Sequence, residues 1–180
     1  MNQKAARDRG SLRRRVAWIV IVVAVPVLVL GLWAFQPWKA FTSSNIDEAL
    51  PTAPVVTNST AADTRSGPEV LAEGRFVSQE HETSGVARVV RLADGSRVLR
   101  LAELAGSDGP DLHVWLTDQE AGGDWFKYDD GRHVPLGKLK ATHGNQNYEI
   151  PADLDLGGLR SVVIWCDRFN VAFGSAPLAL

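Results

Sequence analysis

An all-β fold, a small antiparallel β-sandwich or barrel-like domain preceded by a single N-terminal transmembrane helix, is what this sequence predicts. Three observations lead there. Residues 16–35 form one uninterrupted apolar run with no charged side chain. From Val70 onward the chain breaks into short apolar segments divided by Gly, Asp and Asn, the pattern of strands and turns. No sustained 3.6-residue periodicity competes with those segments.

The apolar run, VAWIVIVVAVPVLVLGLWAF, holds about 20 residues, enough at about 1.5 Å per residue to cross a hydrocarbon core about 30 Å thick. Ahead of it, Lys4, Arg7, Arg9, Arg13, Arg14 and Arg15 face the single acid Asp8. Such a basic flank keeps the tail at 1–15 in the cytoplasm and sends the rest of the chain to the extracytoplasmic side of the cell membrane. Trp18 and Trp33 near the two ends, and Trp38 just beyond, suit the headgroup interface. Pro26 is expected to bend the helix. A cleaved signal peptide competes with this single-pass anchor, but its apolar core is usually shorter, and the exit LWAFQPW offers no small-x-small cleavage site. No Cys follows the span closely enough for a lipoprotein anchor.

The net charge of −2 hides an asymmetry. Setting the first fifteen residues aside leaves 13 basic and 20 acidic side chains, a net of about −7. Nucleic acids and anionic surfaces are held by clustered Lys and Arg, so that balance argues against a nucleic-acid partner. Membrane lipid around residues 16–35 is the partner the apolar run implies.

Residues 36–69 read as a flexible extracytoplasmic tether, because Thr42 to Pro68 is rich in Ser, Thr, Ala and Pro and nearly devoid of large apolar side chains. Asn58-Ser59-Thr60 matches a glycosylation sequon there.

Residues 70–180 supply enough chain for one core, with strands expected in the 70s, 80s, 90s, 110s, 120s, 140s, 160s and 170s. In VARVVRLADGSRVLRL, Asp94-Gly95 provides the positive φ of a two-residue hairpin turn. Pairing outward from it sets Leu92 opposite Arg97, Val90 opposite Leu99 and Arg88 opposite Leu101, and this is the better core face. In SVVIWCDRFNVAFG, a turn at Asp167-Arg168 pairs Cys166 with Phe169, Ile164 with Val171 and Val162 with Phe173 on one apolar face. DLHVWLT alternates Leu112, Val114 and Leu116 against His113, Trp115 and Thr117.

Three segments, GPDLHVWL (109–116), LGKLKATHGNQNYEIP (136–151) and SVVIWCDRFNVAFGSAPL (161–178), resemble the DM13 domain family. That family is an all-β module proposed to act in extracytoplasmic electron transfer. The resemblance fades toward Val70 and does not reach the anchor or tether. It implies a redox role centred on Cys166, either as a thiol that exchanges electrons or as a ligand to haem or a metal, and a redox partner protein.

Cys166 is the sole Cys, which excludes an intramolecular disulfide. A core-filling thiol, raised in pKa and inert, is the competing reading. Among His81, His113, His133 and His143 no compact metal motif exists. His113, in the first family-like segment, is the preferred second ligand, although its alternation places it away from the core face that holds Cys166. Gly109-Pro110-Asp111 reads as a turn in preference to a cation site, and GNQN (144–147) reads as a loop. The acid pairs Asp129-Asp130 and Asp153 with Asp155 read as solvated loops, since neither builds a regular Ca²⁺ loop.

Enzyme chemistry draws little support, for there is no nucleophile elbow, no HExxH and no phosphate-cradling Gly loop. The rival from another class is a non-catalytic binding or adhesion module that meets a cell-envelope ligand, such as a wall polymer, or a membrane protein through Trp115, Trp125, Phe126, Tyr128 and Trp165.

Overall fold

The computed structural model describes residues 3–36, 38–39, 42–51 and 67–180. The chain divides into two compact units, Met1–Trp38 and Lys39–Leu180. The first is a single helix, α1 (Gln3–Phe35), which continues through Pro26. Its portion Arg14–Phe35 is 22 residues long and apolar enough to cross a membrane. Large apolar side chains such as Val20, Leu28 and Trp33 stand exposed along it.

The second unit holds β1 (Asn45–Asp47), β2 (Glu69–Arg75), β3 (Val77–Ser78), β4 (Ser84–Arg91), β5 (Arg97–Ala105), β6 (Leu112–Thr117), β7 (His133–Lys138), β8 (His143–Ile150), β9 (Ser161–Cys166) and β10 (Val171–Pro177). They form two five-stranded sheets, ordered β1-β8-β5-β4-β2 and β3-β10-β9-β6-β7. Every pairing is antiparallel except β1 with β8. The inward faces meet in one core, with Ala87, Val89, Leu99 and Leu101 from the first sheet against Val114, Leu116, Val162 and Ile164 from the second. The all-β sandwich read from the sequence is the observed fold. The strand expected in the 120s is instead a 3-10 turn at Lys127–Asp129, and the strand follows at β7.

Both hairpins turn where the sequence places them, but with longer loops. Gly95 adopts φ +85°, its amide donates to the Leu92 carbonyl, and the Leu92 amide donates to the Ser96 carbonyl. The loop therefore holds three residues, with Asp94 accepting from the Ser96 amide. One added loop residue slides the register by one, so Val90 pairs with Val98 and Val89 with Leu99. Val89 rather than Val90 then enters the core. Val90, Leu92 and Val98 cluster on the opposite face, under Leu50. At the second hairpin the loop spans 167–170, Cys166 pairs with Val171, and a bulge beyond Ala172 sets Ile164 against Gly174. Phe169 is therefore an exposed turn residue and not the cross-strand partner of Cys166.

Residues 42–51, assigned to the tether by composition, are built into the domain. β1 lies parallel to β8 along Asn45–Asp47. Polar side chains hold it, a means of attachment that apolar content does not register. Ser44 and Thr142 exchange hydrogen bonds, Asn145 donates to Asp47, and Asn147 donates to the Ala49 carbonyl. The GNQN segment expected as a loop is thus part of β8. Residues 52–66, with the Asn58 sequon, lie outside the described residues.

Candidate functional site at one end of the sandwich

Cys166 is the last residue of β9 and is fully buried in the core. Its neighbour on the same face is Leu112 of β6, which pairs with it directly. The chain then leaves the sheet through the 167–170 turn, where the Phe169 amide donates to the Cys166 carbonyl at 3.3 Å and the Asp167 amide to the Asp111 carbonyl at 3.0 Å. Burial pushes the Cys166 thiol up in pKa. The backbone amides of Phe169, Arg168 and Asp111 pull the other way, and the charge of Asp111 adds to the rise.

His113 pairs with Trp165. It therefore projects from the opposite face to Cys166, and the two do not converge on one ligand position. Haem ligated by Cys166 does not fit this arrangement, because a sulfur with no exposed surface leaves no room for an iron and its porphyrin ring.

His113 instead meets two carboxylates. Its Nε2 lies 3.0 Å from Asp111 Oδ1 and 3.5 Å from Asp167 Oδ2. Asp111, in the turn before β6, and Asp167, just after β9, come together because β6 and β9 are paired neighbours that end at the same edge. Lys138 of β7 places its ammonium 2.8 Å from Asp111 Oδ1. That hydrogen bond is the main cause of the lowered Asp111 pKa; burial opposes it and His113 adds to the lowering. By sequence Asp111 is simply part of a Gly-Pro-Asp turn. In the fold its carboxylate is engaged by His113 and Lys138.

The other candidates separate. His133 stacks on Trp115 with centroids 4.4 Å apart, His81 meets Glu80 and Phe173, and His143 bonds Thr142. Of the five aromatic residues considered for an exposed contact surface, Trp115, Tyr128 and Trp165 are buried in a second cluster on the outer face of the β6/β9/β10 sheet. The Tyr128 hydroxyl donates to Ser175 Oγ at 2.9 Å there. Trp125 and Phe126 are exposed, at 41% and 56%.

Neither a curated protein nor a solved structure matches the chain. Residues 75–178 match the DM13 family, described as electron transfer DM13. That span takes in β3 through β10 and includes Asp111, His113, Cys166 and Asp167. With more than half of its length matched, the chain belongs to the DM13 electron-transfer family.

Proposed function

We propose that the chain is a membrane-anchored, extracytoplasmic electron-transfer protein whose redox group is the Cys166 thiol. Family membership supports the electron-transfer role. The basic flank ahead of an apolar helix supports an anchor with its N-terminus in the cytoplasm. The observation that carries the assignment to Cys166 is its place at the very end of β9, where the 167–170 turn follows directly. A turn is the part of a sandwich that opens at least cost.

A lone thiol needs a second sulfur from its partner. With the turn open, Cys166 loses its proton and the thiolate attacks a disulfide of the partner protein. A mixed disulfide forms, one partner sulfur leaves as a thiolate, and that thiolate takes the proton. The partner is reduced at one sulfur and Cys166 is oxidised, so atoms and electrons balance. A dithiol of a second protein supplies the two electrons: its first thiolate attacks the Cys166 sulfur and releases the first partner as a dithiol, and its second thiolate then displaces Cys166 as it closes its own disulfide.

The test is reaction of the full-length protein in detergent with a small aromatic disulfide. The expected result is a slow native reaction whose rate levels off at high reagent concentration, because opening of the turn limits it. Reaction that follows global unfolding at every denaturant concentration makes Cys166 a core residue and removes the proposal.

A second reading, that of a binding module for a cell-envelope ligand, rests on exposed Trp125 and Phe126. Co-sedimentation with cell-wall polymer, lost in the Trp125→Ala, Phe126→Ala double variant, would favour it. Unchanged co-sedimentation removes it.

A further inference from the structure

We infer that Asp111, His113 and Asp167 form a binding site for a divalent transition-metal ion of the zinc and copper class, separate from Cys166. The three side chains offer one imidazole nitrogen and two carboxylate oxygens, and these atoms all lie within 4.8 Å of one another. Tetrahedral ligands about 2.0–2.2 Å from an ion stand about 3.3–3.6 Å apart. Of the two distances from His113 Nε2, 3.5 Å to Asp167 falls within that range and 3.0 Å to Asp111 lies a few tenths of an ångström below it. The Asp111 and Asp167 oxygens lie within 4.8 Å of each other, and Asp167, with its side chain 43% exposed in its turn, is the ligand with most freedom to adjust.

The donor set selects the ion. An imidazole suits zinc, copper and nickel, whereas calcium and magnesium favour sites made wholly of oxygen. Three protein donors leave a coordination position open to water or a small ligand. Partial burial, with His113 at 18% and Asp111 at 29% side-chain exposure, lowers the local dielectric and strengthens the attraction for a dication.

Lys138 is the cation that sits against Asp111 without the metal. Its side chain is 74% exposed, so it swings into solvent with little loss when a dication arrives. Lys138 is therefore a competitor, and its removal has an unusual sign. The donors do not include sulfur, so this ion is distinct from one held by Cys166.

The experiment is calorimetric titration of the untagged full-length protein, in detergent, with Zn²⁺ and separately with Mg²⁺. Zn²⁺ binds in one equivalent and Mg²⁺ gives no heat. His113→Gln and Asp167→Asn each weaken Zn²⁺ binding about tenfold or more, with melting temperatures confirming that both variants fold. Lys138→Gln tightens it about two- to fivefold. Co²⁺ in the site gives weak visible bands without an intense thiolate charge-transfer band. Absence of Zn²⁺ binding overturns the inference, as do unchanged affinity in both ligand variants, weaker binding in Lys138→Gln, or a thiolate band with Co²⁺.

Discussion

Glu48 and Lys140, 92 residues apart in sequence, are joined by a two-point ion pair: the ammonium lies 2.8 Å from Oε1 and 3.0 Å from Oε2. The same carboxylate accepts the Asn147 amide at 2.7 Å, and Arg100 donates to the Glu48 carbonyl at 3.0 Å. Together these bonds fasten the segment around β1 beside β8. The Lys140 hydrogen bond is the main cause of the lowered Glu48 pKa, and burial works against it.

The attachment of that segment therefore depends on pH. A carboxyl whose pKa is lower in the folded than in the unfolded chain contributes stability above the unfolded value, and loses it as pH falls through the folded one. Hydrogen exchange of residues 44–50, taken relative to the intrinsic rate at each pH, is expected to be slow at neutral pH and to accelerate below about pH 4. Glu48→Gln should accelerate it already at pH 7, with a loss of about 1 kcal/mol. The wild-type and variant rates should converge in acid. A constant difference across the range would show that the carboxylate charge is not what holds the segment.

Gly144 controls the same contact sterically. It sits at φ +99°, and a Cβ built on it would overlap the Ile46 carbonyl oxygen. Gly144→Ala is expected to cost about 2 kcal/mol or more, through backbone strain and displacement of β1. Limited proteolysis should then cut near residues 42–51 while β2 to β10 persist. A variant with wild-type cleavage and melting temperature would disprove this role.

The thiol prediction turns on Asn170, which holds φ +54° in the turn after Cys166. Asn tolerates that conformation better than most side chains. Asn170→Ala should therefore destabilise the turn by about 1 kcal/mol and speed thiol modification about fivefold, whereas Asn170→Gly should leave both close to wild type. Cys166→Ser should itself cost about 1 kcal/mol, because the core offers the hydroxyl a poorer fit than the thiol. Equal thiol reactivity in all three Asn170 proteins would separate exposure of Cys166 from this turn.

Topology is checked on intact cells. External protease should remove residues beyond Trp38 and leave a fragment that contains Arg13 to Arg15, in keeping with the basic flank. A domain protected from protease in intact cells and digested only after lysis would reverse the orientation.

The alternation of β6 was fully legible: Leu112, Val114 and Leu116 point inward as the sequence states. So was the inward set Val162, Ile164 and Cys166 of β9. Register was not, because a hairpin loop of two or three residues contains the same Asp-Gly signal, while a single residue exchanges the two faces of β4. β1 escaped notice for a different reason. Its stabilisation comes from polar side chains nearly a hundred residues away, and a three-residue strand carries no periodicity. Asp111 and His113 were visible as separate residues, but Asp167 joins them only through the pairing of β6 with β9.

The parallel strand also decides how the domain answers mechanical force. A pull applied through the chain ahead of Lys39 reaches β1, the edge strand of its sheet, before any other strand of the domain. Its three-residue ladder and the Glu48 ion pair are therefore expected to yield first. Loss of β1 alone is expected to leave β2 to β10, with Cys166 in the core between them, folded. β1 is thus a mechanical fuse, placed where breakage spares the core.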